Sequence, residues 1–296
     1  MNDTPPMLEH HDSLRRNYYA RLNAEIPGFE FTAIPIRNFL KNIIGKGEFY
    51  IRAGIEYLPE IVRSGRIKGS PETDHTTLNG GPTVRKQSCQ AMFGCDIDRL
   101  KPEDYPKYGY LSCADPVRNL LETDEMSYQY GGVVFRLKKQ NFMHRTTITV
   151  GDSVNMGRCF GLVPDRVDDI LPVCVYGLEN GSRKLMVPFG GPGNCWHYFV
   201  SKILNGTLTA DNFNQLDALL GGDIPVFEFF ELQFHGPINL AEDVDSVDIF
   251  DFRENVESEE VREAGRKLEA MGITFRAFSD FEAACHAMHP GDAKGE

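Results

Sequence analysis

Nothing in this chain is apolar for long enough to cross a bilayer, tryptophan occurs once, and basic residues are outnumbered by acidic ones. The first absence excludes a membrane-spanning helix. The third excludes the broad basic face that grips duplex phosphate backbones, since 31 Lys and Arg against 43 Asp and Glu leave a net charge of -12. Such a field favours encounter with a protein whose surface is basic. Met1 to Pro6 offer no basic patch followed by an apolar stretch, so no Sec signal peptide is expected. Regular cysteine spacing is missing too: the seven cysteines stand at 89, 95, 113, 159, 174, 195 and 285. An odd, unpatterned set in a chain of 296 residues reads as reduced thiols in a cytosol. Delivery into another cell's cytosol by a dedicated, non-Sec secretion machine is compatible with that reading.

What is present is ordinary globular composition, with 41% hydrophobic and 25% charged residues, enough for a real core. Three regions are expected: an N-terminal helical extension over 1–46, a main domain over 47–255, and a C-terminal helix and tail over 256–296. The extension carries amphipathic stretches at 12–25 and 36–44, the second stopping at Gly45. The main domain opens on a strand at 47–54, followed by a helix from Glu56 to Ser64 that stops at Gly65. Residues 70–107 read as loop, with Asn79-Gly80-Gly81-Pro82 the strongest turn signal. Further strands are expected at 108–113, 132–137, 146–150, 171–176 and 226–235, and helices at 195–204 and 259–271. Many short strands with a few interleaved helices make the class α+β.

The most informative stretch is Val226 to Gly236. On a strand, Phe230, Leu232 and Phe234 share one face while Glu231, Gln233 and His235 share the other. The ordinary fate of such alternation is a half-exposed strand with a solvated outer face. Two other strands add polar company: Tyr50 with Arg52 on the first, Tyr110 with Ser112 on the one beginning near residue 108.

Taken in chain order, these residues resemble the ADP-ribosyltransferase superfamily, and more closely its CteC-type bacterial effectors. The motifs that carry the likeness are Tyr50-Ile51-Arg52, Glu72-Thr73, Asn79-Gly80-Gly81, Pro106-Lys107-Tyr108-Gly109, Thr149-Val150-Gly151-Asp152-Ser153 and Glu231-Leu232-Gln233-Phe234-His235-Gly236. They cover roughly residues 47 to 250. The resemblance implies two packed, mainly antiparallel sheets with flanking helices and an NAD cleft. It also implies transfer of ADP-ribose from NAD, consumed as co-substrate, to a threonine of a host protein, with ubiquitin the leading acceptor.

The same resemblance distributes the roles. Breaking the nicotinamide–ribose bond builds positive charge on the sugar, and a carboxylate beneath it can stabilise that charge while accepting from the 2′-hydroxyl. Glu231 is assigned this role with Gln233 beside it, although the superfamily usually carries Gln or Glu two residues before its catalytic Glu. Here Phe229 precedes and Gln233 follows, so Gln233 in the usual Glu position stays open. Glu231 is preferred because an amide cannot stabilise a cation as a carboxylate does. Arg52 pairs with the diphosphate, Tyr50, Tyr110 or Phe229 flanks the nicotinamide, and Ser112 holds the ribose or the cleft strands. Glu72, Thr73 and Asn79 brace the nucleotide; Asp223, Phe227 and His235 face the acceptor. No metal and no membrane or nucleic-acid partner is required.

Two rivals belong to other classes. One is a binding module that keeps the fold without transfer. The other is a cysteine hydrolase: Gly193-Asn194-Cys195 entering a helix resembles the nucleophile turn of ovarian-tumour-type deubiquitinases, and a helix N-terminus favours a thiolate. Pro192 stands where that pattern has aspartate. Cys285, His286 and His289 lack a second cluster of ligands, so zinc is not expected.

Overall fold

A computed structural model describes residues 5–6, 42, 44–73, 93, 97–112, 130–150, 206, 230–249 and 258–278. In chain order the strands are β1 (Glu48–Ala53), β2 (Arg66–Ile67), β3 (Lys107–Ser112), β4 (Val133–Leu137), β5 (Thr146–Val150), β6 (Phe230–Phe234), β7 (Ile238–Asn239), β8 (Val244–Ile249) and β9 (Thr274–Ala277). The helices are α1 (Leu58–Ser64), α2 (Ser70–Thr73), α3 (Leu240–Asp243) and α4 (Glu259–Ala270). The fold is mixed α+β. The chain divides into two compact units, one of residues 1–47, 69–113 and 142–236, the other of 48–68, 114–141 and 237–296.

In the first unit, β6 pairs antiparallel with β3 on one side and with β5 on the other. Its apolar face buries Leu111, Ile148, Leu232 and Phe234, with the Phe234 ring edge-on to Phe142 at 5.2 Å. The stretch expected as loop holds, among the described residues, 3-10 turns at Ile97–Arg99 and Pro102–Asp104 and the short helix α2, in which the Glu72 carboxylate accepts from the Gly69 N–H at 2.9 Å. At its start, helical backbone at Ile44, Gly45 and Lys46 carries on past the stop expected at Gly45.

In the second unit, β1 and β8 flank β4 antiparallel, and β9 joins β8 as a parallel partner. A parallel pair needs a crossover, and α4 supplies it. Ser258 caps α4 by accepting from the Val261 N–H, and Gly272 at φ 79 takes the left-handed turn that ends it. Val261, Ala264, Gly265 and Leu268 are its buried residues, on a stripe whose i, i+3, i+4, i+7 spacing suits one helix face. A Cβ on Gly265 would collide with the Phe275 ring, so α4 lies tight on β9. The helix expected from Glu56 opens as a 3-10 turn over Ile55–Tyr57 and becomes α-helical only at Leu58. Pro59, whose ring clashes with a preceding helical turn, fits the first turn of α1 but not an interior position. The expected stop at Gly65 is present, at φ 67. β2 and β7 form a separate two-stranded antiparallel pair.

The strand expected at 171–176, the helix at 195–204, the N-terminal helix at 12–25 and the loop at 219–225 lie outside the described residues. Among the described residues no helix is long and apolar enough to cross a membrane.

Candidate functional site

The pairings of β6 with β3 and β5 place their polar residues by register alone. Gln233 stands opposite Tyr108 of β3 and Thr147 of β5, and Glu231 opposite Tyr110 and Thr149. Cross-strand partners share a face, so Glu231, Gln233, Tyr108, Tyr110, Ser112 and Thr147 belong to one surface of the sheet. His235 follows β6 directly, its N–H donating to the Arg145 carbonyl at 2.9 Å as a further rung would.

This surface is not the solvated face that alternation ordinarily produces. Glu231 is 6% exposed, Gln233 and His235 are fully buried, and so is Thr147. Buried polar groups persist only when hydrogen-bonded, and these are bonded to one another. Gln233 Nε2 donates to Glu231 Oε1 at 2.7 Å, and Thr147 Oγ1 donates to Gln233 Oε1 at 2.8 Å. Thr147 Oγ1 also lies 3.1 Å from His235 Nε2, while the Phe93 ring meets the imidazole edge-on at 5.0 Å. The result is a carboxylate at one end of a hydrogen-bonded row, oriented by an amide and able to accept from a ligand hydroxyl or to face a developing cation.

The sheet end beyond His235 is anchored by Lys107. Its ammonium, 2% exposed, donates to the carbonyls of Glu103, Tyr105 and Gly236 and lies 3.4 Å from Glu72 Oε2. Glu72 therefore braces Lys107 and the Gly69 turn, and Thr73 Oγ1 bonds back to the Gly69 carbonyl at 3.4 Å.

Tyr50 and Arg52 belong to the second unit, on the face of β1 that carries Arg136 of β4, Ser246 and Asp248 of β8, and Arg276 of β9. Arg276 Nε donates to Asp248 Oδ1 at 2.6 Å; burial nevertheless pushes the Asp248 carboxyl above its usual range, the arginine offsetting only part of it. Arg136 pairs with Asp245.

Of the residues singled out in the sequence, Glu231, Gln233, His235, Ser112, Glu72 and Thr73 lie in the first unit. Asn79, Asp223, Phe227, Cys195 and the Cys285 to His289 segment lie outside the described residues. Thr147 and Phe93 escaped the sequence reading. Alternation over Thr146–Val150 does put Thr147 and Thr149 on one face, but only pairing tells that it is the face of Gln233. No group of three His, Cys, Asp or Glu among the described residues is arranged to hold a metal ion. No protein-family model matches the chain, and no curated protein matches its sequence.

Proposed function

We propose that the protein is an effector-type mono-ADP-ribosyltransferase that moves ADP-ribose from NAD to a protein hydroxyl, a ubiquitin threonine being the first acceptor to test. The mixed α+β fold would then be of the ADP-ribosyltransferase type. One observation carries the reading: Glu231 is a buried carboxylate on the polar face of a core strand, with one oxygen held by the Gln233 amide. A carboxylate taken out of water at a cost of several kcal/mol needs a reason, and charge stabilisation beneath ribose is one.

In the reaction, the bond from nicotinamide to the anomeric carbon breaks and nicotinamide leaves with the electron pair. Glu231 accepts from the 2′-hydroxyl and faces the cationic sugar. The acceptor hydroxyl then attacks the anomeric carbon and passes its proton to the Glu231 carboxylate. Ser112, on the same face of its strand as Tyr110 opposite Glu231, steadies the ribose. Glu72 and Thr73 act at one remove, by fixing Lys107 and the Gly69 turn. His235, given the acceptor side by the resemblance, has its ring buried against Thr147 and Phe93, behind Gln233.

Intact-mass spectrometry of ubiquitin after incubation with the protein and NAD tests this. A gain of one ADP-ribose is expected, reduced about 10²–10³-fold in Glu231→Gln, the scale of losing one preorganised charge-stabilising group. A wild-type protein that consumes no NAD with any acceptor refutes the reading and leaves a binding module or a Cys195 hydrolase.

A further inference from the structure

The row behind Glu231 has a direction, which follows from counting protons. Thr147 Oγ1 has one proton and two contacts, Gln233 Oε1 at 2.8 Å and His235 Nε2 at 3.1 Å. An amide oxygen only accepts, so the hydroxyl proton points to Gln233. The contact with His235 is then a hydrogen bond only if Nε2 carries a proton and donates to the threonine oxygen. At the far side of the amide, Gln233 Nε2 donates to Glu231 Oε1 at 2.7 Å. An amide turned over would set its oxygen against the carboxylate oxygen at that distance, acceptor against acceptor.

The row can run in two directions. In one, Glu231 Oε1 accepts from the amide, which suits an ionised carboxylate, and His235 bears a proton on Nε2. In the other every bond reverses: a protonated Glu231 donates to the amide oxygen, the amide nitrogen to Thr147, and Thr147 to a bare Nε2. We propose that Thr147 and His235 are positioning residues that hold the row in the first direction, keeping the Gln233 N–H on Glu231 and the carboxylate ionised for transfer. A hydrogen bond donated to the charged form favours that form. The edge of Phe93 fixes the ring that begins the row. The role in transfer rests on the reading of Glu231 given above; the direction of the row does not, and it is measured separately.

The direction is read without NAD. In the full chain labelled with 15N-histidine, long-range 15N–1H spectra, assigned by difference with His235→Gln, should show the His235 ring with Nε2 protonated. That pattern should weaken in Thr147→Val, which keeps the shape and removes the hydroxyl, and return in Thr147→Ser. A bare Nε2 in the wild type overturns the proposal. The consequence is read by steady-state NAD turnover: Thr147→Val should lower kcat about 10- to 100-fold with KM for NAD little changed, and Thr147→Ser should restore most of it. An unchanged kcat in Thr147→Val overturns the positioning role while Glu231 keeps its assignment. A wild type without turnover removes that assignment, and the ring spectrum still decides the direction of the row.

Discussion

Lys107 offers the sharpest test of how the sheet end beside His235 is held. Its ammonium is 2% exposed, with Glu72 at 3.4 Å and the carbonyls of Glu103, Tyr105 and Gly236 around it. Those oxygens replace the water that a lysine loses on burial. At 3.4 Å and an effective dielectric of about 20, the attraction between the two charges is about 5 kcal/mol. Much of it offsets the desolvation of Glu72, whose side chain is only 10% exposed. Lys107→Met should therefore cost about 3–5 kcal/mol, because it strands three carbonyls and a buried carboxylate together. Glu72→Gln keeps an acceptor for the Gly69 N–H and should cost about 1–2 kcal/mol. In the Lys107→Met background the same change should cost nothing or regain about 1 kcal/mol, so the pair couples by about 1–3 kcal/mol. Against a total stability of about 5–15 kcal/mol, urea unfolding of the four proteins resolves these differences easily. Additive single changes, or a Lys107→Met loss under about 1 kcal/mol, would show that the ammonium is not held by this cage.

Three further outcomes are expected. The Asp248 carboxyl is held above its usual 3.8, chiefly by burial, so the folded state binds more protons than the unfolded one. Its contribution to stability is full below the unfolded pKa and lost as pH rises through the native value; Asp248→Asn should flatten that fall in the urea midpoint from about pH 4 upward, and an unchanged slope contradicts the assignment. In Gly265→Ala the usual helix gain of about 1 kcal/mol should be outweighed by the clash with Phe275, a net loss of about 1–2 kcal/mol that Phe275→Leu relieves. A stabilised Gly265→Ala would contradict the packing of α4 on β9. Gln233→Glu would put two carboxylates at the 2.7 Å now spanned by a hydrogen bond from the amide, where one must keep a proton. Its urea midpoint should fall much more at alkaline than at acid pH, and an equal fall at both would show the side chains are not in contact.

Local alternation made several strands legible, because which face a residue occupies on a strand depends on nothing but its neighbours in sequence. Phe49 and Ile51 on β1, and Leu232 and Phe234 on β6, are buried as that alternation implies. β8 and β9 escaped notice for the opposite reason. Val244–Ile249 interrupts its apolar residues with Asp245 and Asp248; Asp248 is tolerated at 1% exposure because Arg276, on a strand 28 residues later, reaches it. Nothing local announces such a partner. The parallel pairing was equally hidden, since it depends on α4 returning the chain to the same edge.

The site shows the same divide. That Glu231, Gln233 and His235 share a face could be read from period two, but their burial could not, because the residues around them come from elsewhere in the chain. Thr147 stands 86 positions from Gln233 in sequence. Register alone decides that it, and not its neighbour, joins the row. Thr146 pairs with Phe234, so it lies on the opposite face, and its Oγ1 is buried with no hydrogen-bond partner among the described residues. A slip of one residue in the β5–β6 pairing would exchange the two threonines' faces. The slip that sets Ile148 opposite Gln233 would leave the amide oxygen without its donor, and with it the constraint that keeps an N–H on Glu231. The chemistry proposed for Glu231 is thus specified less by the Glu-x-Gln-x-His order than by the pairing that puts one particular hydroxyl opposite the glutamine.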